Sequence, residues 1–381
     1  MEGKNKIGIV TFFKGNYGSI LQCYATCSIL KKLDFFPCVI NLKVSRISNL
    51  FRMAKRCLQH PRHIKTFYNI RRKAFSGGNK ILQEDSEAMA SFVESELPVF
   101  TVSASKLHAM GKSNDFIFFL SGSDQIWGGH EYIVDFTRFL RFAPQSKRIA
   151  WAPSFGTTDI ADYNKKSYRK YISQYKALSV RETSAVHIIE ELTGKTPTVL
   201  IDPVYLLTRN EWLEFAPDIL PDKYILCYFL DEPSALAMNQ IDYYCDINHT
   251  KVILFGPWNQ AYSEIAAEHL HGGPKTFVSL IAHADCVFTD SFHALSFSLI
   301  MNTPFWVYRR NYLHGIDQSS RVVSILEKVN MLQYFEPQSG CDQNWDFSVA
   351  NSIIEKERNA MIEYLHPYVD NCVGGGMNEI G

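Results

Sequence analysis

Between Asp34 and Glu84 the sequence has no aspartate or glutamate, although lysines and arginines run through the interval: Lys43, Arg46, Arg52, Lys55, Arg56, Arg62, Lys65, Arg71, Arg72, Lys73 and Lys80. The whole chain nevertheless carries no net charge, so the overall field gives no reason to expect nucleic-acid binding. The cysteines number nine, an odd and scattered set with no Cys-x-x-Cys pair. That excludes a disulfide framework and reads as reduced, cytosolic usage. Cys23 and Cys27, four apart in an apolar helical pattern, read as small buried thiols. The polar N-terminus, followed by only a strand-length apolar run, is not a signal peptide. No apolar run approaches the roughly 20 residues that a membrane-spanning helix needs. Internal repeats and low-complexity tracts are missing as well, and Gly374-Gly375-Gly376 reads as a frayed tail. These absences point to a cytoplasmic protein, free or peripheral to the inner face of the membrane.

What is present is globular. Of 381 residues, 46% are hydrophobic and 20% charged, and the length suits two domains rather than one core. Strands are expected at Lys6–Phe13, Cys38–Leu42, Asp115–Leu120, Arg148–Ala152, Leu178–Val180 and Val199–Ile201, with a helix over Ile20–Leu33. Residues 45 to about 110 look mostly helical. The prolines from Asp202-Pro203 to Pro221 mark a boundary. A second alternating series has strands at Tyr224–Leu230, Lys251–Phe255, Asp285–Phe288 and Phe305–Tyr308. This predicts an α/β protein with two Rossmann-like domains of parallel strands facing a central cleft. The first covers residues 1–210 with a basic helical insertion at about 45–110, and the second covers 211–345. A C-terminal helix and tail occupy 346–381.

Four polar clusters fall just beyond strand ends, where open α/β sheets place their ligand crevice. Lys14-Gly15-Asn16-Tyr17-Gly18-Ser19 is a glycine-bearing turn whose spacing matches neither a dinucleotide fingerprint nor a P-loop. Ser121-Gly122-Ser123-Asp124-Gln125-Ile126-Trp127 offers a carboxylate for a sugar hydroxyl and an indole face for a sugar ring, or only a turn cap. In Ser179-Val180-Arg181-Glu182 the guanidinium suits a carboxylate or phosphate, or a neighbouring acid. Finally, Thr289-Asp290-Ser291-Phe292-His293 is a strand–corner–helix with Asp290 or Ser291 as N-cap. It combines free amides, a helix dipole and an imidazole at one point. His283, Asp285, Cys286, Asp290 and His293 fit no regular metal spacing, so no metal and no cofactor is called for. In the acid-free stretch, Ile47, Leu50, Phe51, Ala54, Cys57 and Leu58 recur at helical spacing. The helix suits an anionic membrane surface or a diphosphate-linked lipid, or packs its apolar stripe on the first domain.

Taken in order, these segments resemble the polysaccharide pyruvyl transferase family. The resemblance rests on Asn16-Tyr17-Gly18 with Leu21-Gln22-Cys23-Tyr24-Ala25, on Gly122–Trp127, and on Ala150-Trp151-Ala152-Pro153-Ser154-Phe155-Gly156. Ser179–Glu182, Asp202-Pro203-Val204, Thr289–Ala294 and Ser319-Ser320-Arg321-Val322 complete it. It implies a fold similar to the two-domain glycosyltransferase B architecture. It also implies transfer of a pyruvyl group from phosphoenolpyruvate to a galactose-like sugar of a surface polysaccharide or its polyprenyl-diphosphate-linked precursor, closing a cyclic ketal. By this resemblance Arg181, Ser291, Phe292 and His293 bind the donor, and His293, Asp124 and Arg181 are catalytic. Asn16, Tyr17, Gln22, Asp124 and Trp127 meet the acceptor. Some members carry arginine where this chain has Ser291, so Arg309, Arg310 and Lys14 become candidate substitutes on the donor.

Two other functions fit the same frame. One is a sugar-nucleotide glycosyltransferase. The other is a non-catalytic glycan-binding protein using Trp127, Trp151, Trp212 and Trp258 as sugar platforms.

Overall fold

The computed structural model describes residues 5–44, 46–68, 82–131, 133–216, 223–257, 262, 267–310, 319–337 and 344–369. The chain forms β1 (Lys6–Val10), β2 (Phe36–Leu42), β3 (Val99–Val102), β4 (Phe116–Ser121) and β5 (Arg148–Ala150). These pair in the order β3-β2-β1-β4-β5. Short β6 (Ser179–Val180) and β7 (Thr198–Val199) pair beside them. The second half repeats the pattern with β8 (Tyr224–Tyr228), β9 (Lys251–Phe255), β10 (Ala267–Leu270), β11 (Cys286–Thr289) and β12 (Phe305–Val307), ordered β10-β9-β8-β11-β12. Among the described residues every strand pairing is parallel. The two sheets therefore share one topology, that of a Rossmann domain, in which the strand order reverses between the central strands.

The central strands form for a simple reason. Lys-Ile-Gly-Ile-Val, Phe-Ile-Phe-Phe-Leu-Ser, Tyr-Ile-Leu-Cys-Tyr and Cys-Val-Phe-Thr are near-continuous apolar runs, and almost all of their residues are buried. Burial on both faces is what a parallel sheet covered by helices demands. The edge strands β3 and β10 were not anticipated: Val-Phe-Thr-Val and Ala-Glu-His-Leu are short and half-exposed. The stretch at 45–110 is helical at Arg46–Gln59, Gln83–Glu96 and Ala104–Lys112, but β3 makes its later part the edge of the first sheet.

Helix Tyr17–Lys32 is capped by Asn16, whose side chain accepts from the Gly18 amide, and closes with Lys31 and Lys32 at its negative end. Helix Phe292–Met301 has all ten residues buried and Ser291 as its N-cap. A helix apolar all round belongs inside a core. After Pro203–Leu206 the chain crosses to the second half, and helix Ser348–Glu363 brings it back. On that return Arg358 Nε donates to Tyr205 O at 2.6 Å, and Trp151 Nε1 reaches Met361 O at 3.4 Å. One apolar core runs through both halves. The glycine tail at 374–376 lies outside the described residues.

Candidate functional site

In each half the strand order reverses between two central strands, and the loops leaving β1, β4 and β11 hold three of the four polar clusters, while the fourth, with Arg181, follows β6. From β1 comes the turn ending in Ser19, and from β4 the loop Gly122–Asp124. Gly122 sits at φ 130°, where a β-carbon would stand 2.3 Å from Trp151 O. Only glycine fits there. Asp124 follows in the left-handed region at φ 63°, which aspartate tolerates better than most residues. The second half contributes the β11 corner and His293.

These loops meet. Ser19 Oγ donates to Asp124 Oδ2 at 2.5 Å, and the Gln125 amide donates to Asp124 Oδ1 at 2.8 Å. Arg181 Nη1 donates to Asp202 Oδ2, while Arg181 Nη2 lies 4.0 Å from Asp124 Oδ1. His293 Nε2 stands 3.8 Å from Asp202 Oδ2. Two guanidiniums flank the Phe292 ring, Arg181 at 4.6 Å and Arg321 at 5.5 Å from its centroid. Glu182 is occupied on one oxygen, which accepts from Ser154 Oγ and the Phe155 and Gly156 amides. Asp124, Arg181, Glu182, Asp202, His293 and Arg321 are all buried.

Burial dominates the electrostatics. It would raise the Asp124 carboxyl, but His293, Arg181, the Ser19 hydroxyl and Arg321 together hold it below the ordinary carboxylate range. Burial pulls the His293 imidazole down, with Arg181 and Arg321 adding to that and Asp202 and Asp124 opposing it. In the empty site burial thus favours the uncharged imidazole. Burial and then Arg181 lower Arg321 to about 10. Among the described residues, Arg181 Nε and Nη2 and His293 Nε2 have no hydrogen-bond partner. Buried polar atoms in that condition are rare.

A cavity of about 20 Å³ is lined by Arg181, Asp202, Phe292 and Arg321, room for roughly one water. A larger groove of about 570 Å³ lies in the first half, floored by Ile20, Met89 and Val93 and rimmed by Lys14, Asn41, Ser86 and Thr101.

Several expected contacts fall elsewhere. Trp127 is wholly buried, stacked on Phe139 at 5.6 Å and 8°, with its indole N–H on Ser121 Oγ. It has no face to offer a sugar. Trp151 and Trp212 are also wholly buried, and Trp258 lies outside the described residues. Tyr17 is buried against Phe277, its hydroxyl donating to Gly272 O at 2.9 Å. It joins the two halves rather than greeting an acceptor. Gln22 is spent on Thr11 Oγ1, Phe12 O and Ser19 O, bracing the turn that presents Ser19. Asn16 caps its helix, and exposed Lys14 belongs to the larger groove. Arg309 turns to Glu336 and Arg310 to Asp231 and Asp290. Ser291 Oγ accepts from the Ala294 amide as N-cap. Asp290 instead accepts from the Leu230 and Asp231 amides at 2.7 and 3.0 Å. Sequence reasoning passed over Arg321, Asp202 and Ser19 as site residues. The first two sat in quoted motifs, Ser319–Val322 and Asp202-Pro203-Val204, which were the available signal. Among the described residues no three His, Cys, Asp or Glu side chains converge as a metal-binding group.

The model of one protein family, polysaccharide pyruvyl transferase, matches residues 16–312. The chain belongs to the polysaccharide pyruvyl transferase family. It is thereby a member of a transferase family, and every residue of the buried centre except Arg321 falls within the matched span. None of the curated proteins compared with it matches. Among solved structures the family member is similar to a putative UDP-N-acetylglucosamine 2-epimerase from Listeria monocytogenes. The TM-score there is 0.51 at 11% identity, covering 97% of this chain and 94% of that one. It is also similar to MnaA of S. aureus, solved with UDP, at TM-score 0.51 and 10% identity, covering 99% and 100%. At such identities the likeness is one of fold: two Rossmann-like domains in a glycosyltransferase B-like arrangement.

Proposed function

We propose that this family member transfers the pyruvyl unit of phosphoenolpyruvate to two hydroxyls of a galactose-like sugar in a surface polysaccharide or its lipid-linked precursor, closing a cyclic ketal and releasing phosphate. The observation that carries the reading is a pair of buried donors without hydrogen-bond partners, Arg181 Nε and Nη2, with His293 Nε2 likewise unmet, beside the N-terminus of helix Phe292–Met301. Donors left unmet in a dry centre cost on the order of 1–3 kcal/mol each, a cost that an incoming phosphate or carboxylate would remove.

The chemistry balances with the residues at hand. One sugar oxygen bonds to C2 of the enol while a proton reaches C3, turning methylene into methyl. The second sugar oxygen then bonds to C2 as the C2–O bond to phosphate breaks. Two hydroxyl protons are released, which balance the one added at C3 and the one that leaves on phosphate or its base. Asp124, held ionised, suits the base, and His293 suits the proton source once an anion has charged it. Arg181 and Arg321 would hold the donor's anionic groups. The scheme itself calls for no metal or cofactor.

Charge counting adds a condition. The guanidiniums of Arg181 and Arg321 already face the carboxylates of Asp124, Glu182 and Asp202. A multiply charged donor therefore needs a further proton, and neutral His293 is the group able to take it. The larger groove supports an acceptor side in the first half.

Thermal-shift titration tests the reading. Phosphoenolpyruvate should raise the melting temperature and a nucleotide sugar should not. Stabilisation by the nucleotide sugar alone would favour a glycosyltransferase, and stabilisation by glycans alone a binding protein.

A further inference from the structure

We infer that residues 46–68 form a docking face for an anionic lipid bilayer. The face is built the wrong way round for a soluble surface helix. In helix Arg46–Gln59 the side chain turned inward is Arg56, which donates to Tyr163 O at 3.1 Å and to Asn164 Oδ1 and stands over the Phe67 and Tyr163 rings. The side chains of Leu50, Phe51, Ala54 and Leu58 point out. Leu50 is 62% exposed, Phe51 73% and Leu58 81%, and beyond the helix Ile64 and Tyr68 are 48% and 64% exposed. At about 100° per residue Leu50, Phe51, Ala54 and Leu58 share one stripe, with Arg56 on the far side. Exposed large apolar residues clustered in so short a segment mark an interaction surface rather than scatter.

The charge decides which occupant. Residues 46–68 contain Arg46, Arg52, Lys55, Arg56, Arg62 and Lys65 and no acid. Lys55, Arg62 and Lys65 are exposed beside the apolar stripe. Self-association through this face would set cations against cations, because a two-fold interface opposes each patch to itself. An anionic lipid surface meets both features at once: the apolar side chains enter the headgroup boundary and the cations face the lipid phosphates. At about 1.5 Å per residue the helix is too short to span a bilayer and would lie in its plane. It begins five residues after Asn41, which lines the larger groove, so a docked protein would hold that groove near the bilayer. The inference does not depend on the reading of the Arg181 centre.

Co-sedimentation of the full chain with vesicles tests it. At low salt the protein should pellet with phosphatidylcholine–phosphatidylglycerol vesicles and far less with phosphatidylcholine alone. Replacing Lys55, Arg62 and Lys65 together by Gln should weaken binding about 100-fold, at roughly 1 kcal/mol per cation. Replacing Leu50, Phe51 and Leu58 together by Ser should weaken it at least about tenfold. Both variants alter exposed positions, and unchanged circular dichroism and melting confirm that the fold is intact. Absence of binding to anionic vesicles at low salt overturns the inference, as does binding that neither variant weakens. A dimer that the Leu50/Phe51/Leu58 variant dissociates, without vesicle binding, would assign the face to a second copy instead.

Discussion

Gly18 and His293 meet face to face across the two halves: a β-carbon built on Gly18 would stand 2.1 Å from both Cγ and Nδ1 of the imidazole. The N-terminal turn thus sets where the histidine sits beside Asp202. Helix propensity alone would make Gly18→Ala stabilising by about 1 kcal/mol, whereas overpacking costs about 1–3 kcal/mol. The contact should win. The variant should melt lower and turn over at least about tenfold more slowly, by calorimetry and phosphate release. A more stable, fully active variant would show that this contact does not position the imidazole.

The two arginines at Phe292 should separate by phenotype. Arg181 faces Asp202, Asp124 and Glu182, so Arg181→Ala leaves buried carboxylates uncompensated and should cost about 3–5 kcal/mol of stability. Arg321 is pulled down to about 10 by burial and by Arg181. Arg321→Gln should therefore cost far less stability. It should still weaken phosphoenolpyruvate binding about 10- to 100-fold, the scale of a charge-assisted hydrogen bond. Denaturant titration and donor titration on both variants check this. Equal stability losses would refute the division.

Asp290 should give the stability profile a feature opposite to that of ordinary carboxylates. Burial pushes it up to about 6, against Arg310 and the two amides it accepts from. A folded value above the unfolded one means that folding takes up a proton. That contribution is full below about pH 4 and lost as pH rises through about 6, a change on the order of 2–3 kcal/mol. Asp290→Asn should flatten the slope of melting temperature across this window, whatever its absolute stability. An unchanged slope would place the titration elsewhere.

Donor binding should take up a proton at His293. The empty site holds the imidazole below its ordinary value, chiefly by burial, and an anion beside it favours the charged form. Affinity for phosphoenolpyruvate should therefore fall as pH rises through the donor-bound value. Calorimetry near neutral pH in buffers of different ionisation enthalpy should show net proton uptake, lost in His293→Gln. Uptake that persists in the variant would move the proton to another group.

How far the sequence reached depended on how local each signal was. The runs of β4 and β8 needed no partner to declare themselves, and the reversal of strand order then put Asp124 and His293 at one crevice. The polar edge strand Ala267–Leu270 had no such pattern and is held by its pairing with β9. Trp127 misled because nothing near it in sequence reveals that Phe139, Phe155 and Tyr175 close around the indole. Between Asp290 and Ser291 as the cap, local sequence could not choose. The Asp290 carboxylate reaches amides some sixty residues away, leaving the cap to Ser291. The outward apolar stripe at Leu50, Phe51 and Leu58 was visible as a stripe, but its direction was fixed only by the burial of Arg56.

The account stands on Asp124, Arg181 and His293 forming one catalytic centre, and phosphate release from phosphoenolpyruvate measures that most directly. The wild-type chain should release inorganic phosphate only when a suitable glycan acceptor is present. The combined variant His293→Ala with Asp124→Asn should lose that release. Acceptor-dependent release that survives in the combined variant would contradict the account.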